Sequence, residues 1–153
     1  GVFSEVGAQA GLADLPVYSS RGAAYADFDN DGDIDLVYTN LQAPPTLLEN
    51  ISSNENHWIK IRLIGAESNR QGIGARLKLV AGDLVQHATL RSGESYLSGN
   101  DPRPHFGLGK ETRVDYLEIR WPSGQIDIIR NLEPDQIAVC AEGQGMVPSS
   151  ANE

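Results

Sequence analysis

The residues best suited to chemistry are five aspartates on alternate positions of the stretch DFDNDGDIDL: Asp27, Asp29, Asp31, Asp33 and Asp35. Carboxylates packed this densely repel one another unless a cation lies among them. Gly32 follows the third aspartate and permits a sharp turn there. The pattern therefore indicates a loop built around a positive charge, which either takes part in chemistry or holds a shape.

The spacing of this loop matches the arrangement of ligands in calcium loops. Counted from Asp27, the aspartates fall at positions 1, 3, 5, 7 and 9, with glycine at position 6. Calcium loops place oxygen ligands at positions 1, 3 and 5, glycine at 6 and a main-chain carbonyl at 7. An EF-hand also needs a helix on each side and glutamate at position 12, where this chain has Tyr38. The flanking segments are strand-like, so we expect a calcium site between two strands, with Asp27, Asp29, Asp31, Asp33 (by its carbonyl) and Asp35 as ligands.

Two other interpretations of the loop are a solvated surface turn and a catalytic carboxylate group. A solvated turn gives no reason for glycine at position 6 among alternating aspartates. General acid–base catalysis uses carboxylates whose pKa values are pushed apart, whereas a central cation would keep all of these ionised. A two-metal hydrolase usually adds histidines or a second acidic cluster, and neither is evident in the sequence. We therefore expect a structural metal and no catalytic residue.

Composition restricts the classes of partner. The chain has 153 residues and a net charge of −9, from 12 basic and 21 acidic residues. This balance argues against nucleic-acid and anionic membrane partners, which need a basic surface. No apolar run approaches the roughly 18 residues of a membrane span. The single cysteine, Cys140, excludes an intrachain disulfide and a zinc site made of several thiolates, and we expect it to be buried.

Alternation with a period of two dominates the chain, and patterns typical of long helices are scarce. In WIKIRLI, for example, aliphatic residues share one predicted face, while Lys60 and Arg62 share the other. Turn residues at 81–83 and 122–124 predict two hairpins. Short strands joined by such turns favour an antiparallel sandwich or barrel. The predicted strands are 22–26, 34–39, 46–50, 58–64, 75–80, 84–90, 114–121, 126–130 and 137–140.

Two families resemble this sequence in order along the chain. The segment RGAAYADFDNDGDIDLVYTN, followed by PPTLLEN, resembles one FG-GAP or VCBS repeat, which is an integrin-α-like propeller repeat with a calcium loop. The series HWIKIRLIG, SNRQGIGARLKL, PHFGLG and VDYLEIRWPSG resembles the ASPIC/UnbV domain, as in cartilage-acidic-protein-like and UnbV-like proteins. The resemblance implies an all-β protein in which one blade-like segment with a calcium loop precedes an antiparallel β-sandwich. It also implies calcium ligation by the five aspartates named above.

The predicted domain organisation follows this division. We expect a single blade-like segment at 1–52, an ASPIC/UnbV sandwich at 53–142 and a disordered tail at 143–153, where the sequence is polar and without periodicity. Related proteins usually carry several repeats, and a propeller needs about four to eight blades to close. A lone blade exposes its edges. We therefore expect the C-terminal part of a longer protein, in which the blade packs on the sandwich or pairs with another copy.

Histidine and arginine residues offer weaker signals. His57, His87 and His105 are far apart and match no metal motif, so we expect structural roles, with a zinc site by spatial convergence as the alternative. Arg70 lies in SNRQGIG, where it either fixes its loop through hydrogen bonds or faces a ligand.

From these observations we expect a non-catalytic, calcium-binding interaction module of an extracellular, cell-surface or periplasmic protein. Its partner would be a protein or a glycan that the sequence does not identify, with self-association through the unpaired blade as another option. A first alternative is a carbohydrate-binding module that presents Trp58, Tyr96 or Trp121, and loss of glycan binding on Tyr96→Ala would favour it. A second is an enzyme or an accessory protein of a biosynthetic pathway, which a single Asp or His substitution would inactivate without unfolding.

Overall fold

The structure is a computed structural model that describes residues 1–52, 54–94 and 96–148. The described residues form strands and no helix, so nothing in these ranges has the length and apolar character of a bilayer-spanning helix. This confirms the predicted all-β class. The strands are β1 (Ser20–Ala26), β2 (Asp35–Asn40), β3 (Ala43–Leu48), β4 (His57–Ile64), β5 (Arg76–Ala81), β6 (Leu84–Thr89), β7 (His105–Gly109), β8 (Val114–Arg120), β9 (Ile126–Leu132), β10 (Gln136–Ala141) and β11 (Gly145–Val147).

The strands form three sheets, of which the last two build a sandwich. The first sheet is the antiparallel meander β1-β2-β3. The other two have strand orders β11-β10-β4-β7 and β6-β5-β8-β9. Alternating aliphatic side chains from both of these sheets are buried in one core, as the period-two pattern predicts. Examples are Ile59, Ile61, Leu77, Leu79, Leu117 and Ile119.

Pairing between the strands departs from the prediction at one place. Both predicted hairpins, β5–β6 and β8–β9, are antiparallel as expected. The strands β4 and β10, however, run parallel, so their sheet is mixed. Parallel neighbours require a long crossover, and here the chain builds the whole opposite sheet between β4 and β10. Residue alternation carries no information about strand direction, which is why the sequence could not predict this pair.

The sequence pattern misses two strands, β7 and β11. Strand β7 has the sequence HFGLG, in which two glycines obscure the strand signal. Strand β11 lies within the predicted disordered tail 143–153, so that prediction is wrong for Gly145–Val147, which pair with the end of β10. Residues 149–153 of the predicted tail lie outside the described residues.

Cys140 of β10 is fully buried, as predicted, and burial raises the pKa of its thiol to about 12.

The segment 98–104 joins the three-stranded sheet to the sandwich. The main-chain N–H of Tyr25 in β1 donates to Asn100 Oδ1 at 3.1 Å. The N–H of Asp101 donates to the Tyr25 carbonyl at 3.3 Å, and the N–H of Ile61 in β4 donates to the Pro104 carbonyl at 2.9 Å. These bonds hold β1 beside β4, and so bring the aspartate loop that follows β1 close to the sandwich.

Candidate metal centre

Strand pairing gathers three of the five aspartates. Asp27 directly follows β1 and Asp35 begins β2, and Ala26 pairs with Asp35 in the antiparallel register, so the two aspartates are neighbours. The intervening loop folds back and adds Asp29. One carboxylate oxygen from each of the three lies within 4.8 Å of the others. Among the described residues, this is the one His, Cys, Asp or Glu group with such spacing, and all its members are oxygen donors.

Main-chain hydrogen bonds hold the two buried aspartates in place. Asp35 accepts from the N–H of Phe28 at 3.0 Å and from the N–H of Asn50 at 2.8 Å. Asp27 accepts from the N–H of Gly32 at 3.2 Å through its Oδ2 atom. Carboxylate oxygens have further lone pairs, so an oxygen that accepts one N–H can still bind a cation. These bonds therefore preorganise the carboxylates without exhausting them.

Gly32 serves both the turn and the docking of the loop. Its φ of 100° lies in a region that favours glycine, as the sequence predicts for a sharp turn. In addition, the indole of Trp58 lies directly over it, and a β-carbon at this position would lie 2.0 Å from Trp58 Nε1. No side chain fits in that space, so glycine is required for the loop to rest against β4. The sequence motif predicts the turn but not this contact.

Lys60 supplies a positive charge to the aspartate loop. Its Nζ atom lies 2.8 Å from Asp27 Oδ2 and donates to the Asp27 carbonyl at 3.1 Å. The side chains of Lys60 and Asp27 are 1% and 0% exposed, so the pair is fully removed from water. The alternation in β4 places Lys60 on the face opposite the aliphatic residues, together with Arg62. The aspartate loop covers this face at Lys60, whereas Arg62 is exposed.

One atom of the loop still lacks a partner. Asp27 Oδ1 is buried and has no hydrogen-bond partner among the described residues. A buried carboxylate oxygen without a partner is costly, and a bound cation would satisfy it. The charges point the same way, because three converging carboxylates and one ammonium leave a net charge of −2, which one divalent cation would neutralise. The residues present therefore fit a calcium ion.

The other two predicted ligands lie outside this group of three. The carboxylate of Asp31 accepts from the N–H of Asp33 at 2.8 Å, and the carboxylate of Asp33 contacts Asn54 Nδ2 at 3.4 Å. The sequence assigns Asp33 a main-chain role only, so the position of its side chain is compatible with that assignment. Asp31 was expected to bind through its side chain, and the structure does not bring that side chain into the group.

None of the three histidines joins the aspartate group. His57 Nδ1 lies 2.7 Å from Asp135 Oδ2 at the start of β4, while His87 is on β6. His105 packs edge-on against Trp58, with 5.7 Å between ring centroids. Burial, followed by the nearby charge of Lys60, lowers the pKa of His105.

The aromatic residues do not form a common platform. Trp121 is buried and donates through Nε1 to Asp127 Oδ2 at 2.7 Å, which is the contact of a core residue. Trp58 is half-buried against Gly32 and His105. Tyr96 is 69% exposed and so is the one of the three candidate sugar contacts that presents most of its ring to solvent.

Glu142 is a buried carboxylate that the sequence does not single out. Its Oε2 atom accepts three main-chain N–H groups at 2.7–2.9 Å, from Ala66, Glu67 and Ser68. Its Oε1 atom accepts the hydroxyls of Ser68 at 2.7 Å and Ser123 at 2.5 Å. Burial by itself would raise the pKa of Glu142, but these hydrogen bonds outweigh it and lower the pKa to about 2. Glu142 thus ties the SNR loop to the WPSG turn.

Comparisons with known proteins give consistent matches. Residues 65–147, more than half of the chain, match the family model described as ASPIC and UnbV. The chain is 30% identical over 120 residues to cartilage acidic protein 1 of Xenopus tropicalis, and 31% identical over 124 residues to cartilage acidic protein 1 of Homo sapiens. Each match covers 76% of this chain and 18% of the relative. The chain thus spans less than a fifth of the length of these curated relatives.

Proposed function

This chain belongs to the ASPIC and UnbV family, and from this membership together with the aspartate loop we propose that it is a non-catalytic, calcium-binding interaction module. The observation that carries the proposal is the convergence of Asp27, Asp29 and Asp35 around a point where Asp27 Oδ1 lacks a partner among the described residues. Calcium accepts such an irregular set of oxygen ligands, whereas magnesium prefers a stricter octahedron. We assign Asp31 and the carbonyl of Asp33 as further ligands, following the spacing of the loop.

The proposed role of the ion is structural. A bound calcium would neutralise the converging carboxylates and supply the missing partner of Asp27 Oδ1. Because the unfolded chain lacks this arrangement, the free energy of binding becomes free energy of folding. The loop lies at the junction between the first sheet and β4, so the ion would stabilise the docking of the two parts.

We further propose that the first sheet is one FG-GAP or VCBS repeat, and that the chain is the C-terminal part of a larger exported or surface protein. The arrangement supports this, because an aspartate loop connects the first two strands of an antiparallel meander. Large apolar side chains on β2 and β3 also remain about half exposed, namely Leu36, Val37 and Leu47. Exposed apolar residues on a short sheet are suited to packing against a neighbouring repeat or a partner protein.

Calcium should raise the melting temperature of the chelator-treated protein. At a free calcium concentration about 100 times the Kd, a folded-state ligand contributes about 2.7 kcal/mol, which corresponds to roughly 5–10 °C for a chain of this size. The measurement is a thermal melt followed by circular dichroism, with calcium, with magnesium and with chelator. A melting curve unchanged by calcium would contradict the proposal.

A pair of variants separates a specific site from a general effect of charge. Asp29→Asn removes the one exposed member of the converging group and should abolish most of the stabilisation by calcium. Asp83→Asn removes the same charge from the exposed β5–β6 turn and should leave that stabilisation intact. If both variants lose the same amount of stabilisation by calcium, then calcium only screens the acidic surface.

A further inference from the structure

Three arginines line one cavity on the side of the sandwich that faces the segment 98–104. The cavity has a volume of about 390 Å³, and its polar lining includes Arg62 at the end of β4, Arg70 in the following loop and Arg103 before β7. Among the described lining residues, Asp101 is the one with an acidic side chain. The described lining thus carries three guanidinium groups and one carboxylate, in a chain whose overall charge is −9.

The loop that carries Arg70 is rigidly built. The N–H of Gly65 donates to the Arg70 carbonyl at 3.0 Å, and the N–H of Gly72 donates to the Asn69 carbonyl at 2.8 Å. The side chain of Asn69 adds two bonds to the main chain of Ile73, at 2.8 and 2.9 Å. Glu142 holds the first half of the same loop through three further N–H groups. The backbone at Arg70 is therefore fixed from both sides.

The side chain of Arg70 differs from its backbone in this respect. Among the described residues, the exposed guanidinium of Arg70 has no hydrogen-bond or ion-pair partner. Its role therefore differs from that of a residue that fixes its own loop, which was one of the two predictions from sequence. The loop holds its shape through Asn69 and Glu142, so the guanidinium remains available to a ligand.

Arg103 is held in a defined orientation on the other side of the cavity. Its Nε atom lies 2.9 Å from both carboxylate oxygens of Asp101, and its Nη2 atom lies 2.6 Å from Oδ2. Hydrogen bonding and the charge of Asp101 raise the pKa of Arg103. Asp101 thus orients Arg103 and offsets its charge. The carboxylate of Asp101 is engaged with Arg103 and does not pair with the guanidinium of Arg70.

We propose that this arginine cavity binds an oxyanion group (a carboxylate, a sulfate or a phosphate monoester) carried on a small organic molecule. A planar guanidinium fork matches the geometry of all three groups. The cavity volume is in the range of small-molecule sites and exceeds the space that one inorganic anion fills. The ligand is small because the acidic surface of the chain repels an extended polyanion. This inference is independent of the proposed metal site.

The test is a titration of the folded chain with sodium sulfate, sodium phosphate and D-glucuronate, with glucose as the neutral comparison, followed by NMR chemical shifts. Saturable binding of at least one anion is expected, and the tightest of the three identifies the preferred acid group. Arg70→Gln should weaken that binding about tenfold or more without lowering the melting temperature.

The matched control is Arg76→Gln. Arg76 is exposed on β5, in the opposite sheet, and its substitution changes the net charge by the same amount. We expect less than a twofold change in the affinity of this variant for the anion. Equal weakening in both variants, or no saturable binding of any of the three anions, would overturn the proposal.

Discussion

Replacing Lys60 by methionine should lower the free energy of unfolding of the calcium-free chain by about 3–5 kcal/mol, because it leaves Asp27 as an unpaired buried charge. Lys60 and Asp27 are both fully buried, and their charged atoms lie 2.8 Å apart. Methionine keeps much of the side-chain volume, so the loss of packing contributes little. Denaturant unfolding of the chelator-treated wild type and variant measures the difference.

Calcium should restore a large part of the stability that Lys60→Met loses. Without the ammonium, the three converging carboxylates lose their internal counter-charge, and a divalent cation then gains more by binding. We therefore expect calcium to raise the melting temperature of Lys60→Met by more than it raises that of the wild type. If calcium stabilises both proteins equally, the carboxylate of Asp27 is not shared between Lys60 and the metal ion.

The matched control for Lys60→Met removes both charges. The double variant Lys60→Met with Asp27→Asn carries no buried unpaired charge, so its stability without calcium should exceed that of Lys60→Met alone. It should also lose the response to calcium, because a neutral amide at position 27 cannot replace a charged ligand at the centre of the site. A double variant less stable than Lys60→Met would show that the two side chains do not act as a pair.

The sequence predicts those elements of the fold that depend on alternation and turns. Strands β4, β5 and β8 bury their aliphatic faces as expected, and both hairpins form where proline, glycine and aspartate favour a turn. Features that depend on spatial neighbours were not predictable. The parallel pairing of β4 with β10 and the burial of Lys60 both arise because distant segments lie side by side. A lysine on the polar face of a strand carries no sign that a loop will cover it.

The candidate site likewise combines features that the sequence predicts with features that depend on spatial neighbours. Spacing alone predicts a tight loop between strands with converging aspartates, and the structure brings Asp27, Asp29 and Asp35 together. Spacing does not predict that Trp58 covers Gly32, because this contact depends on the packing of the loop on β4. Glu142 also escapes prediction, since one glutamate after an apolar strand gives no indication of the five donors that surround it.

Glu142→Ala should destabilise the chain by about 2–3 kcal/mol near neutral pH, because it leaves several part-buried donors without their charged acceptor. Three of these donors are main-chain N–H groups of one loop, which cannot reorient independently. Glu67→Ala is the matched control, because Glu67 is an exposed neighbour in the same loop and its change should cost less than about 0.5 kcal/mol. Denaturant unfolding of both variants tests the difference, and equal costs would contradict the assigned role of Glu142.

Acid should reduce the contribution of Glu142 to the free energy of unfolding in a defined pH window. The pKa of Glu142 falls from 4.5 to about 2 on folding. Between these values the unfolded chain takes up a proton that the folded chain does not, so stability falls as pH falls through the window. Glu142→Gln keeps a similar shape but cannot ionise, so its own stability should depend less on pH there. The stability difference between wild type and Glu142→Gln should therefore shrink as pH is lowered from 4.5 toward 2. If the difference stays constant across this window, the carboxylate is not held ionised by its donors.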